Sequence, residues 1–268
     1  LGQRGLAKAP ADRHIVIQWY QHLCEQQRTG TKHEDGLFSI RPDGITSAYL
    51  LLAYDLYVLR HHGKLQEVVV RRLRHPDQFH GARYELFVAV TFIRAGFDIE
   101  YEDESDSSRK HPEFIATHRA TGFIASVEAK MRHRDVAAAA AAEAGTLRAG
   151  VRRLLSNAAE KQTEHPLIAF VELNLPPEPA DKPPTWIADV QGDTETVVRK
   201  HGGKSPFGLL IFTNRPHQYG LPGEPDPSRH AYALWPSDSP IPDDIANALG
   251  DAASLYGNVP NEFPAEGA

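Results

Sequence analysis

The chain has a single cysteine, Cys24, so no internal disulfide can form, and one methionine, Met131. A lone thiol is compatible with a reducing compartment, and the expected location is the cytoplasm. No apolar stretch approaches the roughly 20 residues of a membrane span, so no membrane partner is expected. The start, Leu1-Gly2-Gln3-Arg4-Gly5, lacks the apolar run of a secretion signal. No internal repeat is visible, which sets aside solenoids and propellers. No Gly-x-Ser-x-Gly elbow occurs, so a serine hydrolase has no support. Fourteen histidines invite a zinc site, yet none are spaced His-x-x-x-His on a helix, and Cys24 stands alone. Gly202-Gly203-Lys204-Ser205 imitates the end of a phosphate-binding loop, but Val198 replaces its first glycine and Pro206 leads into a strand, so it reads as a turn.

Excess positive charge is also missing. The net charge is −6, unlike that of a strong nonspecific DNA binder. The distribution is uneven: residues 60–160 hold 16 Lys plus Arg against 14 Asp plus Glu, leaving the remainder at −8. Arg71-Arg72-Leu73-Arg74, Arg132-His133-Arg134 and Arg152-Arg153 are candidate phosphate contacts. For any single cluster a solvated helix face or loop is the preferred reading.

What the chain does have is 268 residues, 41% of them hydrophobic, enough for one sizeable core with appendages. Helices are expected at 12–28, 46–60 and 64–73, and the second carries an apolar run from Ala48 to Leu59 broken only by Asp55. A long buried helix is expected over 79–95, closed by Gly96, with a strand at 97–101. Residues 135–162 read as helix that Gly145 and Gly150 split. Apolar strands are expected at 166–175 and 207–213, a helix at 186–200, an edge strand at 231–235 and a helix at 243–255. The division is an N-terminal helical extension (1–78), an α/β core (79–235) and a Pro/Gly-rich C-terminal tail (236–268).

The chemistry-bearing segment lies between. It runs His111-Pro112-Glu113-Phe114-Ile115-Ala116, a turn at Arg119-Ala120-Thr121-Gly122, then Ser126-Val127-Glu128-Ala129-Lys130-Met131. Side chains alternate along a strand, so Glu128 and Lys130 share one face. A four-residue turn at 119–122 sets Glu113 opposite Glu128, because both pairs of numbers sum to 241. Two carboxylates and an ammonium then share a face, with Phe114, Ala116 and Val127 on the reverse.

This ordered set resembles the PD-(D/E)xK nuclease superfamily over roughly residues 79–175. Pro112-Glu113 matches the Pro-Asp element, with Glu in place of the commoner Asp, and Glu128-Ala129-Lys130 matches the (D/E)xK element. The resemblance implies a restriction-endonuclease-like fold: a central mixed β-sheet flanked by helices. It implies catalytic roles for Glu113, Glu128 and Lys130. Mg2+ (or Mn2+) would be held by Glu113 and Glu128, with the Ala129 carbonyl and Glu85 of the preceding helix as further candidates. Glu85 is equally readable as an exposed first-turn residue or as a partner of Arg83. Lys161 and Gln162, at the end of the following helix, and Arg132 and Arg134 are candidate substrate contacts. The implied activity is metal-dependent phosphodiester cleavage in nucleic acid, DNA ahead of RNA, by an endonuclease that acts as a homodimer or with a protein partner. Two alternatives stand beside it: a nuclease-like binding or assembly module without the reaction, and an unrelated α/β protein in which Glu128 and Lys130 are a surface pair.

Overall fold

The computed structural model describes residues 13–102, 110–134, 147–161, 163–178, 182–215 and 230–254. Three helices come first: α1 (Ile15–Thr29), α2 (Gly44–His61) and α3 (Glu67–Leu73). A two-stranded ribbon, β1 (Thr31–Lys32) and β2 (Phe38–Ser39), separates the first two. Asp43 caps α2 by accepting the Thr46 N–H at 2.9 Å, and its other oxygen meets the His22 ring at 2.5 Å. The cap therefore ties α1 to α2. The third helix starts three residues later than the sequence suggests, at Glu67 rather than at 64.

α4 (Pro76–Arg94) begins on a proline, whose missing N–H would be unpaired in a first turn anyway. From Leu86 to Ile93 every residue is buried, so this helix is covered all round. Gly96, at φ +89, turns the chain into β3 (Phe97–Tyr101). β4 (Phe114–His118) and β5 (Ile124–Met131) form the hairpin around the chemistry-bearing segment. α5 (Arg152–Ala159) and β6 (Leu167–Glu172) follow, then α6 (Trp186–Lys200), β7 (Leu209–Asn214), β8 (His230–Leu234) and α7 (Asp243–Ser254).

The main sheet has six strands in chain order, β3-β4-β5-β6-β7-β8. β5, β6 and β7 run parallel, and the outer pairings are antiparallel, so the architecture is a mixed α/β sheet flanked by helices, with helices at the N-terminal end. β6 and β7 are buried at every position, as strands covered on both faces must be. One apolar layer joins α1–α4 and α7 to Phe97, Phe114, Val127, Ile168, Phe170 and Ile211. The other packs α5 and α6, through Leu155, Trp186 and Val190, on Ala169, Val171, Leu210 and Phe212. Ile245 and Leu249 of α7 belong to the first layer, so residues placed in a tail by composition contribute to the core. Within 147–161, helix is confined to α5: Gly150 has φ +58, and Asp193 of α6 caps the new start by accepting the Val151 N–H at 2.8 Å. Residues 135–146 of the expected long helix lie outside the described residues. The 202–205 segment is a turn, with both glycines at positive φ.

Candidate active site

The hairpin sets the geometry. Phe114 pairs with Val127 and Thr117 with Ile124, the register that a four-residue turn at 119–122 requires. Gly122, at φ +71, supplies the left-handed turn residue, and its N–H donates to the His118 carbonyl at 2.8 Å. Glu113 lies just outside the ladder. Its N–H donates to the Val127 carbonyl at 2.8 Å, one residue off the strict pairing with Glu128.

Glu128 is fully buried on the face that α5 covers, and Lys130 follows on the same face. The Lys130 ammonium forms an ion pair with Glu128 and lies 3.9 Å from Glu113 Oε1. Lys161, just past the end of α5, brings a second ammonium to 3.1 Å from Glu128 Oε1 and donates to the His111 carbonyl at 2.6 Å. Two carboxylates and two ammonium groups from β4, β5 and the α5 terminus thus meet at one place. Neither Glu128 oxygen has a hydrogen-bond partner, and among the described residues only the two lysines offset Oε1.

Glu113 is pushed up to about 8, first by burial and then by the nearby Glu85 and Glu128 carboxylates; Lys130 and Lys161 oppose the shift. Glu85 lies in the middle of α4, not in its first turn, and its partner is Arg72 rather than Arg83. The pairing is bidentate, at 2.7 and 2.5 Å. The reason is packing: α3 lies alongside α4, and the Arg72 fork reaches a carboxylate that the helix interior would otherwise strand. Burial and the Glu85 and Glu113 charges also push the Tyr101 phenol well above its ordinary value.

The remaining candidates divide. Ala129 buries its side chain in the opposite layer. Ser126 N–H donates to Pro166 and Arg132 N–H to Glu172, so even-numbered residues of β5 bond towards β6. The Ala129 carbonyl therefore points to the β4 side, beyond the last ladder pair, Phe114 with Val127. The Arg134 guanidinium donates to the carbonyls of Leu173, Arg148 and Ala149, at 3.2, 2.7 and 3.0 Å. That ties the end of β5 to the approach to α5. Arg132 lies beside Gly150, where an added Cβ would stand 3.5 Å from its Nη2. Gln162 lies outside the described residues.

His111 flanks the site in sequence, where a partly exposed surface histidine is the preferred reading; its partner Glu102 carries no signal there. His111 Nδ1 is 3.2 Å from Glu102 Oε2, and both side chains are largely buried beside the Pro112-Glu113 entrance. The histidine is visible in the sequence as a flanking residue, but its partner lies nine residues earlier, at the end of β3.

Among the described residues, no group of three or more His, Cys, Asp or Glu side chains is gathered closely enough to hold a metal ion. What is present is a pair of carboxylates around Lys130, Glu113 and Glu128, the latter with an Oε2 that has no hydrogen-bond partner. Such a set suits a hard cation that keeps most of its waters. The proton held on Glu113 and the lysine contacts to Glu128 are what a cation would have to displace. No protein-family model matches the chain, and no curated protein is significantly similar to it. No helix among the described residues is long and apolar enough to cross a membrane.

Proposed function

We propose that the protein is a divalent-metal-dependent phosphodiesterase of the PD-(D/E)xK type that cleaves nucleic acid, DNA ahead of RNA, as an endonuclease. The observation that carries the reading is the convergence of Glu113, Glu128, Lys130 and Lys161. It occurs within a helix, three-stranded meander, helix and parallel strand, the order α4-β3-β4-β5-α5-β6. Magnesium or manganese held by Glu113, Glu128 and the Ala129 carbonyl would acidify a bound water and offset phosphodiester charge. Lys130 then stands where an ammonium can orient the attacking water, and Lys161 where one can meet a phosphate oxygen. Glu85 contributes through its field on Glu113, and Arg72 fixes it in place.

A second reading rests on one observation: both lysines already engage the Glu128 carboxylate. On that reading the cluster is a self-neutralised network in a nucleic-acid-binding or assembly module. Cleavage of single- and double-stranded DNA and of RNA, with magnesium, manganese or EDTA, separates the two. Metal-dependent cutting that disappears in Lys130→Ala, with the fold and most of the metal affinity kept, supports the enzyme. Equal activity in variant and parent refutes the assignment. No cutting, and no calorimetric signal with either metal, favours the module.

A further inference from the structure

Lys161 is aimed from two sides. Its ammonium lies 3.1 Å from Glu128 Oε1 and donates to the His111 carbonyl at 2.6 Å. The attraction to the carboxylate is non-directional, whereas a hydrogen bond to a carbonyl sets where the donor stands. Lys161 comes just past the Glu160 cap of α5 and reaches the site on a flexible four-carbon stem. The place of the ammonium therefore depends on what holds the backbone at residue 111.

The strand ladder stops short of it. β4 begins at Phe114, and its last pair with β5 is Phe114 with Val127. Glu113 adds one bond through its N–H, to the Val127 carbonyl, and its own carbonyl accepts from the Glu102 N–H at a long 3.4 Å. Pro112 has no N–H to donate, but its ring fixes φ and restricts the residue before it to extended conformations. His111-Pro112-Glu113 is thus a stiff piece, anchored at Glu113 and in need of a second anchor at His111.

The histidine side chain provides that anchor. Its Nδ1 lies 3.2 Å from Glu102 Oε2, and the two side chains are only 11% and 21% exposed. Glu102 follows directly on β3, which is paired with β4 up to Tyr101 and Phe114, so the sheet itself carries the carboxylate. Lys110 and Glu160 form a second tie between the same segment and the end of α5. Both of those side chains are more than half exposed, and a surface pair contributes little. The contact that is largely shielded from water is the one between His111 and Glu102.

We propose that His111 is a positioning residue: braced on Glu102, it holds the carbonyl that aims the Lys161 ammonium at Glu128. Pro112 passes the same restraint to Glu113. The brace is a property of the fold. Its consequence for cleavage rests on the nuclease reading, in which Lys161 meets a phosphate oxygen.

Acylation of the lysine amines of the full chain, followed site by site by mass spectrometry, measures how firmly Lys161 is held. Lys130, held by carboxylates, and the exposed Lys204 serve as internal references. His111→Ala is expected to speed labelling of Lys161 roughly three- to tenfold, the range for loss of one hydrogen bond, with Lys130 and Lys204 unchanged. Glu102→Ala should give the same rise. A folded His111→Ala protein that labels Lys161 at the parent rate overturns the proposal, and so does a rise shared equally by all three lysines. If His111→Ala does not fold, Glu102→Ala takes its place and is judged by the same outcomes. Cleavage of DNA with magnesium tests the consequence: His111→Ala should slow the parent but leave Lys161→Ala no slower than it already is. An equal loss in both backgrounds overturns the positioning role. A parent that cuts nothing removes the nuclease reading, while the labelling result still decides the brace.

Discussion

Removing both ammonium groups from Glu128 gives the sharpest test of whether that carboxylate belongs to a cation site. In the parent, Lys130 and Lys161 are its counter-charges, and it has no exposure to water. Breaking a buried ion pair by deleting one side costs about 3–5 kcal/mol, because the remaining charge is stranded. In Lys130→Ala alone the Lys161 contact at 3.1 Å remains, so the expected loss is smaller, about 1–2 kcal/mol. In the double variant Lys130→Ala with Lys161→Ala the full cost applies. At about 2–4 °C per kcal/mol for a chain of this size, Tm should fall by roughly 6–20 °C in EDTA. A divalent cation able to sit between Glu113 and Glu128 then replaces the charge of the lost lysines. At 100 times its Kd it returns about 2.7 kcal/mol. The assay is thermal unfolding in EDTA, magnesium and manganese, and the metal-induced shift should be larger in the double variant than in the parent, where the lysines compete. A double variant as unstable in magnesium as in EDTA would refute the cation site and leave a structural ion-pair network.

Four further outcomes are expected. Glu113 has its folded pKa raised to about 8, so the folded state holds a proton that the unfolded chain has lost; stability should fall as pH rises from about 4.5 to 8. The slope has a ceiling of about 1.4 kcal/mol per pH unit, and a Glu113→Gln melting series that does not flatten this window excludes the assignment. Glu85→Gln removes one of the charges that raise Glu113, so a carboxyl-carbon NMR titration should find the Glu113 midpoint lower than in the parent. Arg72→Ala deletes the bidentate partner of Glu85 and should cost about 1–3 kcal/mol in urea unfolding, reduced when combined with Glu85→Gln. Gly150→Ala forces a side chain into φ +58 beside Arg132 and should cost more than the roughly 0.4–1 kcal/mol that such a change gains at a compatible site; an unchanged midpoint would show that the turn adapts.

The hairpin was the most legible part of the sequence because its register depends on integers. A loop from 119 to 122 admits one pairing, and the alternation of Val127, Glu128, Ala129 and Lys130 then assigns faces. The buried strands β6 and β7 were legible from continuous apolar runs, and α6 from its bounds at Trp186 and Lys200. Lys161 was legible only as a residue at the right end of a helix; its approach to Glu128 depends on where α5 starts. That start is fixed by Asp193, 41 residues beyond Arg152, through a capping bond that no local pattern encodes. The partner of Glu85 was missed for the same kind of reason. Arg83 is two residues away and faces Trp19, whereas Arg72 comes from another helix and faces the carboxylate.

The least legible feature was the polar ending of apolar strands. Glu172 closes a run, Leu167 to Val171, that reads as core, and Thr213 closes another. In sequence each looks like the point at which a strand meets solvent. In the fold both are buried, because α4 extends over the sheet and places Tyr84 and Arg83 above them. A strand end can remain buried only if its polar groups find donors, and here they find Thr213, Asn174, Arg215 and the Tyr84 hydroxyl. The parallel arrangement puts the ends of β5, β6 and β7 together, and alternation sends successive residues to opposite faces. Glu128 and Lys130 go to the α5 side, and Met131 and Glu172 to the α4 side. The same three strands therefore carry polar groups on both faces, and a one-residue slip of β5 would exchange the two sets. That constraint explains why the Glu128–Lys130 pair and the Glu172–Thr213–Tyr84 cluster occur within one short span of the sheet without sharing a residue.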